Sequence, residues 1–337
     1  PPRSTLFPYT TLFRSCEFLS PYSHTSTHVD YIYAPPQRIH FFGPDGFSLQ
    51  PFVYRLNGMR NPATLEKSYV EDHSQKNHIR FFVRADSYKF WGLFTTSLHL
   101  FGTDDGSTIF LLGTDSLGRD MLSMILYGAR VSLTIGLAGV LISFIFGITI
   151  GAISGYYGGM IDHTIQRFIE IIRSFPAIPL WMALSAALPS TWSSLQVYFG
   201  ITIVLAFIGW TGLARVVRGK ILSLRQEDYA VAAMVCGAGK FRIMFRHLLP
   251  NFASHIIVSL TLSIPAMILA ETALSFLGLG LRAPITSWGV LLKEAQNVQA
   301  ISMQPWLLTP VLFVVLAVLS FNFVGDGMRD AADPYSK

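Results

Sequence analysis

The sequence predicts an all-α polytopic membrane protein with five transmembrane helices in this chain, six expected natively, and an extracytoplasmic β-containing domain near the N-terminus. Three observations carry that class. The 337 residues are 51% hydrophobic and only 13% charged, with mean hydropathy +0.44, where soluble domains are about a quarter charged. Five apolar stretches reach the roughly 20 residues that a helical crossing needs. A polar, aromatic stretch of different character precedes them. The net charge is +5 and the pI about 9.2, but the basic side chains are spread among apolar stretches. Lipid and inner-leaflet placement account for them, and nucleic-acid binding is excluded as their purpose.

The elements follow in order. Residues 1–15, PPRSTLFPYTTLFRS, match no structural element and are expected to be a non-native, adapter-derived leader, with a native polar tail as the alternative. CEFLSPY, from Cys16, reads as the exit of a span whose body is missing, so residues 16–112 are expected to form a domain outside the membrane behind a truncated first span. Within it, RIHFF, FSLQPFVYRL, IRFFVRADSYKFWGLF and STIFLL are short apolar or alternating runs separated by Gly, Pro, Asn and Asp, the pattern of strands and turns. His24, His28, His40, His73, His78 and His99 lack metal-ligand spacing; His24 and His28 come nearest but sit in a loop beside Pro21. No metal site or cofactor is expected. Cys16 and Cys236, the two cysteines, imply no disulfide framework.

Residues 113–328 are expected to be the transmembrane core, with 329–337 a tail. The spans are read as Val131–Ser154, Thr164–Leu188 broken by Pro176 and Pro179, Val197–Val217, Phe252–Leu277 and Trp306–Val324. Gly136, Gly139, Gly147 and Gly151 recur along the first of these, at a spacing that lets helices approach closely. Pro176, Pro179 and Pro265 are expected to shape their helices, with neighbouring helices satisfying the freed carbonyls. Orientation follows from charge in short loops. Arg215, Arg218, Lys220, Arg225, Lys240, Arg242 and Arg246 face only Glu227 and Asp228 in one connection, which places it in the cytoplasm. The connection Gly278–Pro305 belongs outside, as does the Ser20–Leu112 domain, and the C-terminus ends inside.

The cytoplasmic connection, residues 218–250, contains AAMVCGAGKFRIMFRHLLPN. Tyr229–Cys236 is alanine-rich, Gly237 and Gly239 interrupt it, and Phe241–Leu249 resumes helical spacing until Pro250 is expected to stop it. A helix, turn, helix on the membrane surface results. Its apolar side chains, Val231, Met234, Val235, Phe241, Met244, Phe245 and Leu248, exceed what shielding from lipid requires. An interfacial helix, a loop that only sets topology and a DNA-binding unit are the bland alternatives.

Ala232-Ala233, three residues, Gly237, nine residues and a His-Leu-Leu-Pro ending resemble the EAA loop of ABC importer permeases. The family's glutamate and isoleucine stand here as Val231 and His247, so a salt bridge from the first position is lost unless Glu227 or Asp228 supplies it. LLGTDSLGRDMLSMILYGARVSL, GYYGGMIDHTIQRFIEIIRSFPAIPL and LAETALSFLGLGLRAPITSWGVLL resemble the C-type subunits of the dipeptide, oligopeptide and nickel branch. The resemblance covers about Cys16 to Lys337 and implies a bacterial inner-membrane permease subunit of an ATP-driven importer of peptides or similar solutes. It further implies a second homologous permease, two ABC ATPase subunits and a periplasmic solute-binding protein as partners. The ATPase-coupling residues it implies are Ala232, Ala233, Gly237, Ala238, Lys240, Phe241, Arg242, Phe245, Arg246, Leu249 and Pro250.

Glu271 is a carboxylate inside the fourth span, which marks it for a translocation path or gate; structural hydrogen bonding competes, since it lies near the outer boundary where a carboxylate can reach water. Asp115, Arg119 and Asp120 are expected to bind one another, and Glu170 to pair with Arg173. No H-E-x-x-H, G-x-S-x-G or phosphate loop is present; Gly219-Lys220 is followed by Ile221. The chain is therefore not expected to be an enzyme, and ATP hydrolysis falls to separate subunits. A membrane sensor whose outer domain detects a ligand is the alternative; it explains neither five spans nor the cytoplasmic turn.

Overall fold

The computed structural model describes residues 16–43, 46–60, 62, 67–90, 93–103 and 107–332. The expected leader at 1–15 lies outside the described residues. The described chain forms two compact units, one of residues up to Thr134 together with Arg282–Phe313, the other of Ile135–Leu281 with the chain from Val314 onward.

The first unit opens with a short helix, α1 (Cys16–Leu19), and carries four strands, β1 (His40–Gly43), β2 (Gly46–Arg60), β3 (Lys67–Phe90) and β4 (Phe94–Thr103). They form one antiparallel meander in the order β1-β2-β3-β4. β3 is 24 residues long. Its first half pairs with β2, Phe52 opposite His78, and its second half with β4, Phe81 opposite Phe101. The sequence runs misplace two boundaries. IRFFVRADSYKFWGLF is divided between β3 and β4, and STIFLL forms no strand. Instead Ile109 is buried against Val53 and Ile79, with Tyr22, Phe101 and Leu111 around them.

GTDSLGRD folds as a tight turn ahead of α2 (Met121–Tyr157). Asp115 Oδ1 accepts the Leu117 and Arg119 amides at 2.9 and 2.8 Å, and Asp115 Oδ2 accepts Arg119 Nε at 2.6 Å. The expected three-way cluster is corrected here. Asp120 turns away and caps α2, taking the Ser123 amide at 2.8 Å and its hydroxyl at 2.7 Å, because orphan amides of a helix start are the nearer donors. Burial pushes the Asp120 carboxyl up to about 7. Helix α9 (Trp288–Lys293) and the following turn hold this entry in place. Trp288 Nε1 donates to the Ile125 carbonyl at 3.1 Å, Ser116 Oγ to Glu294 Oε1 at 2.9 Å, and Trp306 Nε1 to the Thr114 carbonyl at 3.0 Å. A short α10 (Val298–Met303) precedes α11 (Thr309–Ala332).

The second unit contains α3 (Gly159–Ser174), α4 (Ala177–Ala186), α5 (Ser194–Leu224), α6 (Asp228–Val235), α7 (Lys240–Arg242) and α8 (Ala253–Phe276). The described residues include four helices long and apolar enough to cross a membrane, or five if the bent pair α3 and α4 is one span. That pair bends by 87°, at Phe175-Pro176, where the residue before a proline is pushed to extended backbone; Phe175 has ψ 139°. The spans exceed their expected lengths. α2 starts ten residues before Val131, because Asp120 supplies an N-cap there. Pro265 lies inside α8 without ending it.

The glycines of α2 act as the spacing requires. A β-carbon at Gly136 would sit 2.7 Å from Ile268 of α8, and at Gly151 2.5 Å from the Ala214 carbonyl oxygen of α5. Gly139 faces Met267 and Gly147 faces Leu213. α2 thus lies against α8 at one stage and α5 at the next with backbone-to-side-chain contact. The expected Glu170–Arg173 pair is corrected: Glu170 Oε2 takes Arg167 Nη1 at 2.9 Å, one turn earlier, both side chains being largely exposed. Arg173 stays in the last turn of α3, where a cation complements the helix dipole.

Candidate functional site

The connection between α5 and α8 is built from its helix ends outward. α5 finishes at Leu224 and α6 starts at Asp228, a three-residue link too short to uncouple them. α6 ends in a complete glycine cap. The Gly237 amide donates to the Met234 carbonyl and the Ala238 amide to the Ala233 carbonyl, each at 3.0 Å, and Gly237 has φ +79°. This is the Schellman arrangement, whose left-handed position glycine fills without strain. Ala233 and Ala238, the two residues joined by its outer bond, both pack on the apolar core below. The interval from Ala232-Ala233 to Gly237 is therefore the length of one helix end with its cap.

The chain does not stop at Pro250 as expected. After α7 a π-helical stretch, Ile243–Leu248, and a 3-10 turn, Leu249–Phe252, lead directly into α8. The wider turn removes the clash that a proline ring makes with the carbonyl four residues earlier in a regular helix. The second half of the connection is thus continuous with α8.

The segment has two faces. Ala230, Ile243, Met244, Leu248 and Leu249 are buried with Ala152 of α2, Val217 and Ile221 of α5, and Ile256 of α8. The other side is open and apolar: Val231, Met234, Val235 and Phe241 are exposed, Val235 by 83%. Around them Ala232, Gly237, Lys240, Arg242, Arg246 and Pro250 are also exposed, and Phe245 is half-buried with its ring 4.3 Å from that of Phe241. Of the expected coupling residues, Leu249 is 8% exposed and Ala233 and Ala238 lean inward. These three fasten the segment to its own bundle. Lys240 lies over the Tyr157 ring at 5.1 Å, and a recess of about 490 Å³ beside the turn is lined by Tyr156, Arg225, Gln226, Met234, Ala238, Gly239 and Lys240.

Two contacts that sequence reasoning missed tie this end of the bundle together. Arg225 Nη1 donates to the carbonyls of Gly155 and Tyr156, both at 3.1 Å. Arg218 makes a two-pronged pair with Asp162, Nε to Oδ1 and Nη2 to Oδ2 at 2.5 Å each, the geometry that guanidinium and carboxylate favour. Asp162 in the first turn of α3 and Arg218 near the end of α5 are 56 residues apart, so no local spacing in the sequence signals the pair.

Glu271 is wholly enclosed, with 0% exposure, which corrects the expectation that it reaches water. Ser275 Oγ donates to its Oε1 at 2.8 Å, and the Leu281 amide donates to that same hydroxyl at 3.0 Å. A β-carbon at Gly280 would lie 2.6 Å from Ser275. Glu271 thus belongs to the polar lock that ends α8. A cavity of about 350 Å³ runs among α2, α4, α5 and α8 and is lined on α8 by Ser259, Ser263, Ala266, Met267 and Ala270, but not Glu271. Among the described residues no group of His, Cys, Asp and Glu is placed to hold a metal. His24 packs against the Tyr127 ring at a tilt, and His28 meets Tyr22 edge-on.

Comparison with known proteins adds ancestry to this geometry. The family described as binding-protein-dependent transport system inner membrane component matches residues 147–336. The oligopeptide transport system permease protein OppC of Haemophilus influenzae is 44% identical over 223 residues, 66% of this chain and 69% of that protein. The dipeptide transport system permease protein DppC of Bacillus subtilis is 40% identical over 224 residues, covering 66% and 68%. The glutathione transport system permease protein GsiD of Pectobacterium atrosepticum is 41% identical, covering 67% and 73%. Among solved structures, the MetNI methionine ABC transporter in an inward-facing conformation superposes with TM-score 0.50 at 18% identity, over 63% of this chain and 98% of that chain, which speaks to fold alone.

Proposed function

The chain belongs to the family of binding-protein-dependent transport system inner membrane components, and on that premise we propose that it works through the segment 229–250 as the coupling lever of a peptide importer. It is a transmembrane permease subunit of an ABC importer, a multi-pass inner-membrane protein whose relatives are transport permeases and not enzymes. Members of this family act with ATPase and binding-protein components. In our reading this chain forms half of a translocation path with a second, homologous permease. Two ATPase subunits sit below, and a periplasmic solute-binding protein docks above. The connection 218–250 and the C-terminus are cytoplasmic, and the strand domain is periplasmic. The cargo class is di- or oligopeptides, by relation to OppC and DppC.

The observation that carries the proposal is the two-faced build of the segment. Exposed apolar side chains flanked by Lys240, Arg242 and Arg246 suit a protein groove, and the opposite face is fused to α2, α5 and α8. ATP-driven closure of the ATPases would move this unit as a rigid body and carry α5 and α8 with it. The test is co-purification of the ATPase encoded beside the gene with wild type, Gly237→Trp and Arg242→Glu. Capture by wild type and loss in correctly inserted variants is expected. Absence of any ATPase with wild type would favour the sensor reading.

A further inference from the structure

The strand domain carries an apolar tip that the transport reading leaves unused. Where β3 meets β4, Phe90 lies 5.6 Å from Phe94 between ring centres. Leu93 is 79% and Phe94 56% exposed, with Phe82 at 62% close by. Side chains of this kind at a hairpin end are costly in water, and contiguous exposed apolar surface marks contact with protein or membrane.

Contacts within the first unit bring that tip near the start of α2. The chain from Cys16 to Tyr22 runs antiparallel to the opening turns of α2. The Tyr22 amide donates to Ser123 Oγ at 3.2 Å, and Glu17 pairs with Arg130 at 3.4 Å. Seven helical residues separate those two contacts, about 10 Å along the axis at 1.5 Å per residue. α1 therefore lies beside the turn containing Arg130. Beyond Arg130 there is no charged side chain until Asp162, so Arg130 stands at the head of the apolar crossing. Phe18 of α1 lies 6.4 Å from Phe82 in a tilted contact and 6.5 Å from Phe90 edge-on, and α1 lies against both β3 and β4. His99 of β4 fastens the hairpin there, its ring nitrogens 2.7 and 3.0 Å from the Ser20 and Asp86 carbonyls.

We propose that the β3–β4 hairpin is a membrane anchor whose tip, Phe90, Leu93 and Phe94 with Phe82 and Leu19 beside it, enters the lipid headgroup and acyl boundary at the N-terminal end of α2. The tip packs on α1, which pairs with Arg130 at the head of the apolar crossing, and aromatic side chains concentrate at that level in membrane proteins. Exposed Lys89, flanking the tip, has a stem long enough to keep its ammonium among headgroups. The anchor would hold the strand domain at a fixed height above the bilayer. It is independent of ATPase docking, so either claim can fail alone.

The experiment uses the whole transporter in phospholipid nanodiscs. Cys236→Ser removes the exposed cysteine and leaves Cys16, which is 7% exposed. In that background a spin label is placed at Leu93→Cys, at Phe94→Cys and, for reference, at Met59→Cys, 62% exposed on β2. Collision with oxygen, which partitions into lipid, is compared with collision with a water-soluble nickel chelate. The expected result is oxygen-dominated relaxation at 93 and 94 and nickel-dominated relaxation at 59. Nickel dominance at 93 and 94 would place the tip in water. Protection from both reagents would mean that protein covers it. Either result overturns the anchor.

Discussion

Replacement of Gly237 by alanine isolates the turn on which the lever depends. With φ +79°, an alanine there pays the left-handed penalty of about 1–2 kcal/mol. No heavy atom lies within 4 Å of the position its β-carbon would take, so no clash adds to that figure. The two cap bonds at 3.0 Å oppose relaxation to another backbone. If the ATPase recognises α6, turn and α7 in this shape, the penalty appears as a loss of about 5- to 30-fold in docking-competent population and in apparent affinity. Gly239 supplies the control, since it has φ −64° and equally open surroundings; Gly239→Ala should bind as wild type. Titration of labelled ATPase against transporter in nanodiscs reads both. Wild-type affinity in Gly237→Ala, or an equal loss in Gly239→Ala, would show that the cap does not set the docking shape.

Other substitutions test the bundle. Gly151→Ala should lower the thermal midpoint of the purified complex by the equivalent of about 1–3 kcal/mol of overpacking, because its β-carbon meets the Ala214 carbonyl, whereas Gly219→Ala, with nothing within 4 Å, should not. Glu271→Gln retains an oxygen for the Ser275 hydroxyl and should preserve uptake, while Glu271→Ala should reduce assembly; a fully assembled Glu271→Gln complex without uptake would return that carboxylate to the path. Asp120 has a folded value of about 7 against 3.8 for the free carboxyl. Its contribution to stability, full below about pH 4, is lost as pH rises to about 7. Thermal midpoints across that window should fall more steeply in wild type than in Asp120→Asn.

Features that depend on one helix and its immediate neighbours were legible in the sequence. Glycine spacing in α2 foretold close helix contact, and Gly237 with Gly239 foretold the turn after α6. Features decided by competition between partners were not. Pro250 reads as a stop, yet a π-helical stretch absorbs it. Asp120 reads as a partner of Arg119, yet the open amides of α2 claim it. Glu170 has arginines three residues to either side, and spacing alone does not choose between them. The candidate coupling residues were legible as a segment but not by face: Leu249 differs from Phe241 only in which side of the chain it occupies.

If the segment 229–250 is the lever proposed above, it needs a grip on the bundle, and the Asp162–Arg218 pair with Arg225 is placed to supply it. Arg218 and Arg225 belong to the end of α5 and its exit, Asp162 to the start of α3, and the carbonyls of Gly155 and Tyr156 to the end of α2. On that reading, a displacement entering at α6 would meet three helix ends joined by charge-assisted bonds. Asp162 and Arg218 are partly exposed, at 14% and 31%, so solvent screening limits the pair to about 1 kcal/mol of stability, and the lever reading predicts a larger effect on transmission. Asp162→Asn should leave the complex assembled and ATP hydrolysis running while uptake per ATP falls. Arg218→Leu should do the same, and the double variant should be no worse than either single one, because both break one link. Additive losses in the double variant would mean that the two residues act separately, and unchanged uptake per ATP in all three would remove this pair from the route between the ATPase and the path.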